Sequence, residues 1–143
     1  MDSSKNFEIS AGPELHYLES GSGSPLLLLP GWSQTAAMFY HQLDAFGGSH
    51  RVLALDHRGH GESGKIDHGY RVSTLAIDLR HFILGLNLDQ ITLLGHSMGA
   101  AVIFSYFEQF GSDRIKGIIL DDQPAALTLD DETSNQVKKE AGV

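Results

Sequence analysis

The chain has 143 residues, 41% hydrophobic and 20% charged, enough for one domain with a buried core. Its 18 acidic residues against 10 basic ones give a charge of −8 with the histidines neutral, which argues against nucleic acid or an anionic membrane surface as a partner, because both attract positive charge. The lack of cysteine excludes disulfides and thiolate metal sites. No apolar run of signal-peptide length stands in the first twenty residues, so the expectation is a cytoplasmic protein with no membrane contact.

In chain order, Phe7 to Ile9 and Leu15 to Leu18 read as two short antiparallel strands joined around Gly12-Pro13. After a Gly/Ser/Pro loop, Pro25 and the four leucines 26–29 read as a strand. Continuous rather than alternating hydrophobicity suggests a parallel sheet covered on both faces. Ser33 or Thr35 is placed to cap a helix running to about Phe46, with Phe39, Leu43 and Phe46 as its apolar stripe. Gly47-Gly48 ends it, and Val52 to Leu55 forms the next strand.

A glycine-rich loop then runs from Asp56 to about Gly69. Ser73 or Thr74 starts a second helix with Leu75, Leu79, Phe82 and Leu86 on one face, stopped by Gly85 or Asn87. Ile91 to Leu94 is a third internal strand, Gly95 to Gly99 a turn, and Ala100 to about Phe110 a helix apolar nearly all round. Ile115 to Leu120 is a fourth strand. Strand and helix alternate throughout, which predicts an α/β class with a doubly wound, mostly parallel sheet. The loops after Leu29, Leu55 and Leu94 should then gather on one sheet edge. The pattern stops near Gln123. The predicted division is a core portion over 1–122 and a polar segment over 123–143.

Three of these turns carry candidate chemistry. Gly95-His96-Ser97-Met98-Gly99 is G-x-S-x-G. The pattern alone is a weak signal, but here an apolar strand leads in and a helix follows at once. A nucleophilic serine needs a sharp turn to lift its hydroxyl clear of the sheet, and Gly95 and Gly99 are small enough for that turn to close. Acyl transfer also needs two backbone N–H donors for the oxyanion. Met98, after the serine, and Trp32, in the turn Pro30-Gly31-Trp32, are the candidates, and the Trp32 side chain is placed to wall an acyl pocket. His96 diverges from Ser97 on so sharp a turn and reads as structural or cavity-lining. In the third stretch, Asp56-His57-Arg58-Gly59-His60-Gly61-Glu62-Ser63, Asp56 and Arg58 read as an ion pair bracing the loop. His57 and His60 have H-x-x-H spacing but no third ligand nearby, so no metal is expected.

Together these stretches resemble the α/β-hydrolase superfamily, nearest its cofactor-free esterase, lactonase and perhydrolase-like branch, over about Leu15 to Leu120. The resemblance implies Ser97 as nucleophile, Trp32 and Met98 as oxyanion-hole donors, and Gly31, Asp56, Arg58, Gly59, Gly61, Ser63, Gly95 and Gly99 as the structural motif. It implies a small-molecule acyl substrate and no cofactor. A serine at the elbow argues against the haloalkane dehalogenase branch, which places aspartate there. The family's triad runs Ser, then Asp or Glu, then His along the chain, yet all eight histidines here precede Ser97. Asp121 or Asp122 stands where a minority of relatives place the acid. Segment 123–143 resembles the start of a cap insertion. The expectation is an incomplete hydrolase of small esters or lactones; the alternative is a ligand-binding protein or non-catalytic remnant on the same fold.

Overall fold

A computed structural model describes residues 3–9, 12–65 and 70–121. They build a six-stranded sheet in the order β1-β2-β4-β3-β5-β6. The strands are β1 Ser3–Glu8, β2 Glu14–Ser20, β3 Pro25–Leu29, β4 Arg51–Leu55, β5 Ile91–His96 and β6 Ile115–Asp121. β1 pairs antiparallel with β2, and β2 antiparallel with β4; β4, β3, β5 and β6 are mutually parallel. The helices are α1 Tyr40–Phe46, α2 Val72–Gly85 and α3 Met98–Phe110, with a 3₁₀ turn at Ala36–Phe39 before α1. The doubly wound, mostly parallel sheet expected from the sequence is the sheet observed.

The run of leucines in β3 shows why continuous hydrophobicity was needed. Successive side chains in a strand point to opposite faces. Leu27 and Leu29, with Leu53, Leu55 and Leu93, pack beneath Leu75, Leu79 and Phe82 of α2 and Val102, Ile103 and Tyr106 of α3. Leu26 and Leu28, with Val52 and Ala54, pack on the other face against Ala36, Phe39 and Leu43. The chain therefore leaves β3 toward one face and leaves β5 toward the other. These two strands are neighbours, with Leu29 opposite Gly95. A sheet whose adjacent strands send their connections to opposite faces opens a crevice at their C-terminal ends. The turns carrying Gly31 and Ser97 sit at that crevice.

Several local expectations are corrected. The helix expected to run to Phe46 is split into the 3₁₀ turn and a seven-residue α1, and Phe46 is exposed rather than on a buried stripe. Neither Ser33 nor Thr35 caps it through its side chain. The Ala36 N–H instead donates to Asp56 Oδ1 at 2.7 Å, a cap supplied from 20 residues away. α2 begins at Val72 with Arg71 as N-cap, not at Ser73 or Thr74. α3 is covered on one side only, and Phe104 is 47% exposed. Segment 123–143 and Asp122 lie outside the described residues.

Asp56 and Arg58 are not partners. Their side chains leave the loop in different directions, and each finds a better counterpart. Arg58 reaches across to α2, where Nε and Nη2 donate to Asp78 Oδ2 and Oδ1 at 2.6 and 2.7 Å. This fork is buried at both ends. Its hydrogen bonds to Asp78 hold the Arg58 guanidinium more firmly charged than an ordinary arginine. Asp78→Ala would strand that charge, so a loss of about 3–5 kcal/mol is expected, read as a lower urea midpoint. A change below about 1 kcal/mol would show that Arg58 reaches water without its partner.

Candidate active site

The site is built from the turn after β5. Ser97 has φ 56° and ψ −115°, a backbone conformation that a residue with a Cβ rarely adopts. The flanking glycines make it possible. A Cβ on Gly95 would stand 2.6 Å from the Ala100 nitrogen, and one on Gly99 would fall on the Leu29 carbonyl oxygen. α3 thus starts so close to β3 that only glycine fits. The Ser97 N–H donates to the Asp121 carbonyl at 3.3 Å, and Ala100 N–H closes the turn onto the Ser97 carbonyl at 3.0 Å.

The turn after β3 meets this elbow directly. A Cβ on Gly31 would lie 3.1 Å from Ser97 Cβ, so Gly31 is the glycine that lets the two turns touch. The Gln34 side chain folds back, its Oε1 accepting the Gly31 N–H at 2.8 Å. That leaves the next N–H, of Trp32, uncommitted among the described residues, as is the N–H of Met98 in the first turn of α3. The Ser97 hydroxyl likewise has no hydrogen-bond partner among the described residues.

The loop after β4 supports the crevice from beside and below. The His57 ring is buried, and its Nε2–H donates to the Pro30 carbonyl at 3.2 Å, one residue before Gly31. Burial, helped by neighbouring His60, lowers its pKa from 6.5 to about 4, so the ring is neutral at pH 7. His60 Nδ1 lies 2.9 Å from the Arg58 carbonyl, and its ring meets Trp32 edge-on at 4.9 Å. The two histidines therefore face different partners, and the described residues hold no group of three metal-ligating side chains. Trp32 is 55% exposed, which excludes it as a core anchor. With Gly59, His60, Lys65 and Tyr70 it walls a cavity of about 540 Å³.

The His96 ring meets β6, its Nδ1 3.2 Å from Asp121 Oδ2. Asp121 thus reaches the neighbourhood of the elbow but spends its carboxylate on His96. Of the residues singled out in sequence, Gly31, Trp32, Gly95, Ser97, Met98 and Gly99 converge. Asp56, Arg58, Gly59, Gly61 and Ser63 hold the loop beside them. Gln34 and Asp78 were not singled out. Asp78 had a signal: a carboxylate on the Leu75–Leu79–Phe82 face of a helix calls for a buried partner. Gln34 had none, because its role exists only once Gly31 is beside it.

The family model described as alpha/beta hydrolase fold matches residues 24–140. The chain is 34% identical over 110 residues to a non-heme chloroperoxidase of Kitasatospora aureofaciens, covering 76% of this chain and 40% of that protein. It is 35% identical over 121 residues to a soluble epoxide hydrolase of a Corynebacterium species, covering 84% and 42%. An esterase structure from Exiguobacterium antarcticum superposes with a TM-score of 0.82 at 29% identity, over 92% of this chain and 50% of that one. A bromoperoxidase from Bacillus anthracis gives 0.81 at 28%, over 94% and 53%. The chain thus spans about two fifths of the length of these curated relatives and about half of these solved chains.

The buried His57 makes a prediction about acid. Its folded pKa is depressed, so the unfolded state binds the proton first. The neutral ring's contribution to stability is full above pH 6.5 and is lost as pH falls toward 4. The loss amounts to about 3 kcal/mol. Urea midpoints measured between pH 7 and pH 4 should carry this slope, and His57→Gln, which keeps an N–H donor but does not titrate, should flatten it. Equal slopes in both proteins would mean that His57 takes up its proton in the folded state.

Proposed function

The chain belongs to the alpha/beta hydrolase fold family, and we propose that Ser97 is the nucleophile of a hydrolase acting on small carboxylic esters, lactones or related acyl compounds. The observation that carries this reading is the conformation of Ser97 at φ 56°, held between Gly95 and Gly99 and pressed against the Gly31 turn. A fold maintains a strained serine at a crevice at a cost of about 1–3 kcal/mol, and such strain clusters at functional sites. The relatives' names range over chloroperoxidase, epoxide hydrolase and esterase, so the family alone does not choose the substrate. What supports an acyl substrate is the serine, because a hydroxyl nucleophile with two uncommitted N–H groups in the adjoining turns suits a carbonyl carbon that becomes tetrahedral.

In this reading, Ser97 Oγ attacks the carbonyl. The Trp32 and Met98 N–H groups receive the oxyanion, the alcohol leaves, and water releases the acyl group from Ser97. The Trp32-walled cavity takes part of the substrate. No cofactor enters the step. A base is required, and no histidine follows Ser97 in the 143 residues. With the chain matching about two fifths of its relatives' length, the reading assigns the base to a longer parent. Within this chain the acid candidates are Asp121 and Asp122. Because Asp121 Oδ2 lies against His96, the parent is assigned the acid as well.

Two measurements test this. In a parent carrying a histidine after Ser97, a fluorophosphonate probe should modify the peptide that contains Ser97, and Ser97→Ala should remove that adduct; modification elsewhere with Ser97 untouched would sink the assignment. The 143-residue chain should hydrolyse p-nitrophenyl esters no faster than its own Ser97→Ala variant, since losing the base of a serine triad costs up to about 10⁶-fold. Rapid turnover that disappears in Ser97→Ala would show that the chain contains its own base.

A further inference from the structure

Ser97 lacks a base among the described residues, yet another serine has one. Ser4 lies on the edge strand β1, where its register partner on β2 is Leu18. Its hydroxyl crosses diagonally to the residue two positions along β2, and Ser4 Oγ lies 2.6 Å from His16 Nε2. The other ring nitrogen, His16 Nδ1, lies 2.7 Å from Asp56 Oδ2. A carboxylate only accepts, so Nδ1 carries a proton, and in the neutral ring the Nε2 lone pair then faces the Ser4 hydroxyl. This is the order of roles in a serine triad: hydroxyl, imidazole, then a carboxylate that fixes the tautomer.

The supporting groups are held from several sides. His16 is 7% exposed and Asp56 2%, while Ser4 is open to solvent. The His16 N–H donates to Ser63 Oγ at 2.7 Å, and Ser63 Oγ donates to the Asp56 carbonyl at 2.6 Å. Asp56 is itself fixed by the N–H groups of Ala36 and Glu62 at 2.7 and 3.0 Å. Beside the pair lies a cavity of about 160 Å³, lined among others by His16, Leu18, Thr35, Asp56 and Glu62. Asp56 and Glu62 among its lining residues disfavour an anionic guest, and its volume suits a short chain.

We propose that Ser4, His16 and Asp56 form a second serine relay, separate from Ser97, which makes Ser4 an acceptor for small uncharged acyl groups from activated esters. In the step, a lone pair of Ser4 Oγ forms a bond to the ester carbonyl carbon, and the Ser4 proton passes to His16 Nε2. The tetrahedral intermediate then collapses, the bond to the leaving oxygen breaks, and the leaving group departs with the electron pair. The imidazolium returns its proton to that oxygen or to water. The product is an ester on Ser4, with no oxidant or metal required.

The test uses the full chain carrying Ser97→Ala, so its outcome is independent of the role of Ser97. After exposure to p-nitrophenyl acetate, fragmentation mass spectrometry should place an acetyl group on Ser4 and not on adjacent Ser3, whose hydroxyl among the described residues donates to the Glu19 carbonyl. Ser4→Ala should abolish this acetylation and Ser3→Ala leave it unchanged. His16→Asn retains a donor toward Asp56 but lacks Nε2, and should slow it by about 10²-fold or more. A second comparison leaves His16 in place: iodoacetamide should alkylate Ser4→Cys several-fold faster than Ser3→Cys, because only the former has an imidazole to take its proton. Equal acetylation of Ser3 and Ser4, undiminished acetylation in folded His16→Asn, or equal alkylation of the two cysteines would overturn the proposal. If His16→Asn does not fold, the cysteine pair decides.

Discussion

A single buried carboxylate, Asp56, holds the loop edge of the sheet together. Its oxygens meet the N–H of Ala36, the N–H of Glu62 and the ring of His16. These groups belong to the 3₁₀ turn after β3, the loop after β4, and strand β2. Two of them are backbone donors that water would otherwise have to satisfy. Gly61 is needed beside Asp56 because a Cβ there would fall on the carboxylate. Without this carboxylate the 3₁₀ turn loses its cap, and the position of every residue from Gly31 to Phe39 loosens with it.

From that anchor the crevice follows by topology. β3 and β5 are paired neighbours, but their connections pass to opposite faces of the sheet. The two turns can meet only if no side chain stands between them, and Gly31 and Gly99 remove the obstacles on either side. The His57 ring braces the Pro30 carbonyl from beneath, in a setting dry enough to keep it neutral. The Trp32 and Met98 N–H groups stay uncommitted among the described residues, and fixed donors of that kind stabilise developing charge without reorganising.

Ser97 and Ser4 are complementary in what surrounds them. Ser97 has the strained turn and the free N–H groups but no imidazole among the described residues. Ser4 has an imidazole and a carboxylate in line, on an unstrained edge strand. Nucleophile activation and oxyanion stabilisation are separate physical tasks. Among the described residues the features that suit each task stand on different residues, and Asp56 bonds both to the 3₁₀ turn after β3 and to the His16 ring.

The sequence by itself determined the alternation of strands and helices, the two-sided burial of residues 26–29, and the glycines that mark the crevice. These are local properties: side-chain periodicity and the steric demand of a sharp turn act within a few residues. The partners of charged and polar side chains were another matter. Arg58 and Asp56 stand two apart in sequence and read as a pair, yet Arg58 binds Asp78 and Asp56 binds Ala36, Glu62 and His16. The cap on the 3₁₀ turn came from Asp56 and not from Ser33 or Thr35, and the strands joined around Gly12-Pro13 brought Ser4 to His16. Hydrogen bonds are short-ranged and directional, so a partner is chosen by which groups the completed sheet brings within about 3 Å. Only the tertiary structure decides that, because elements far apart in the chain supply the groups.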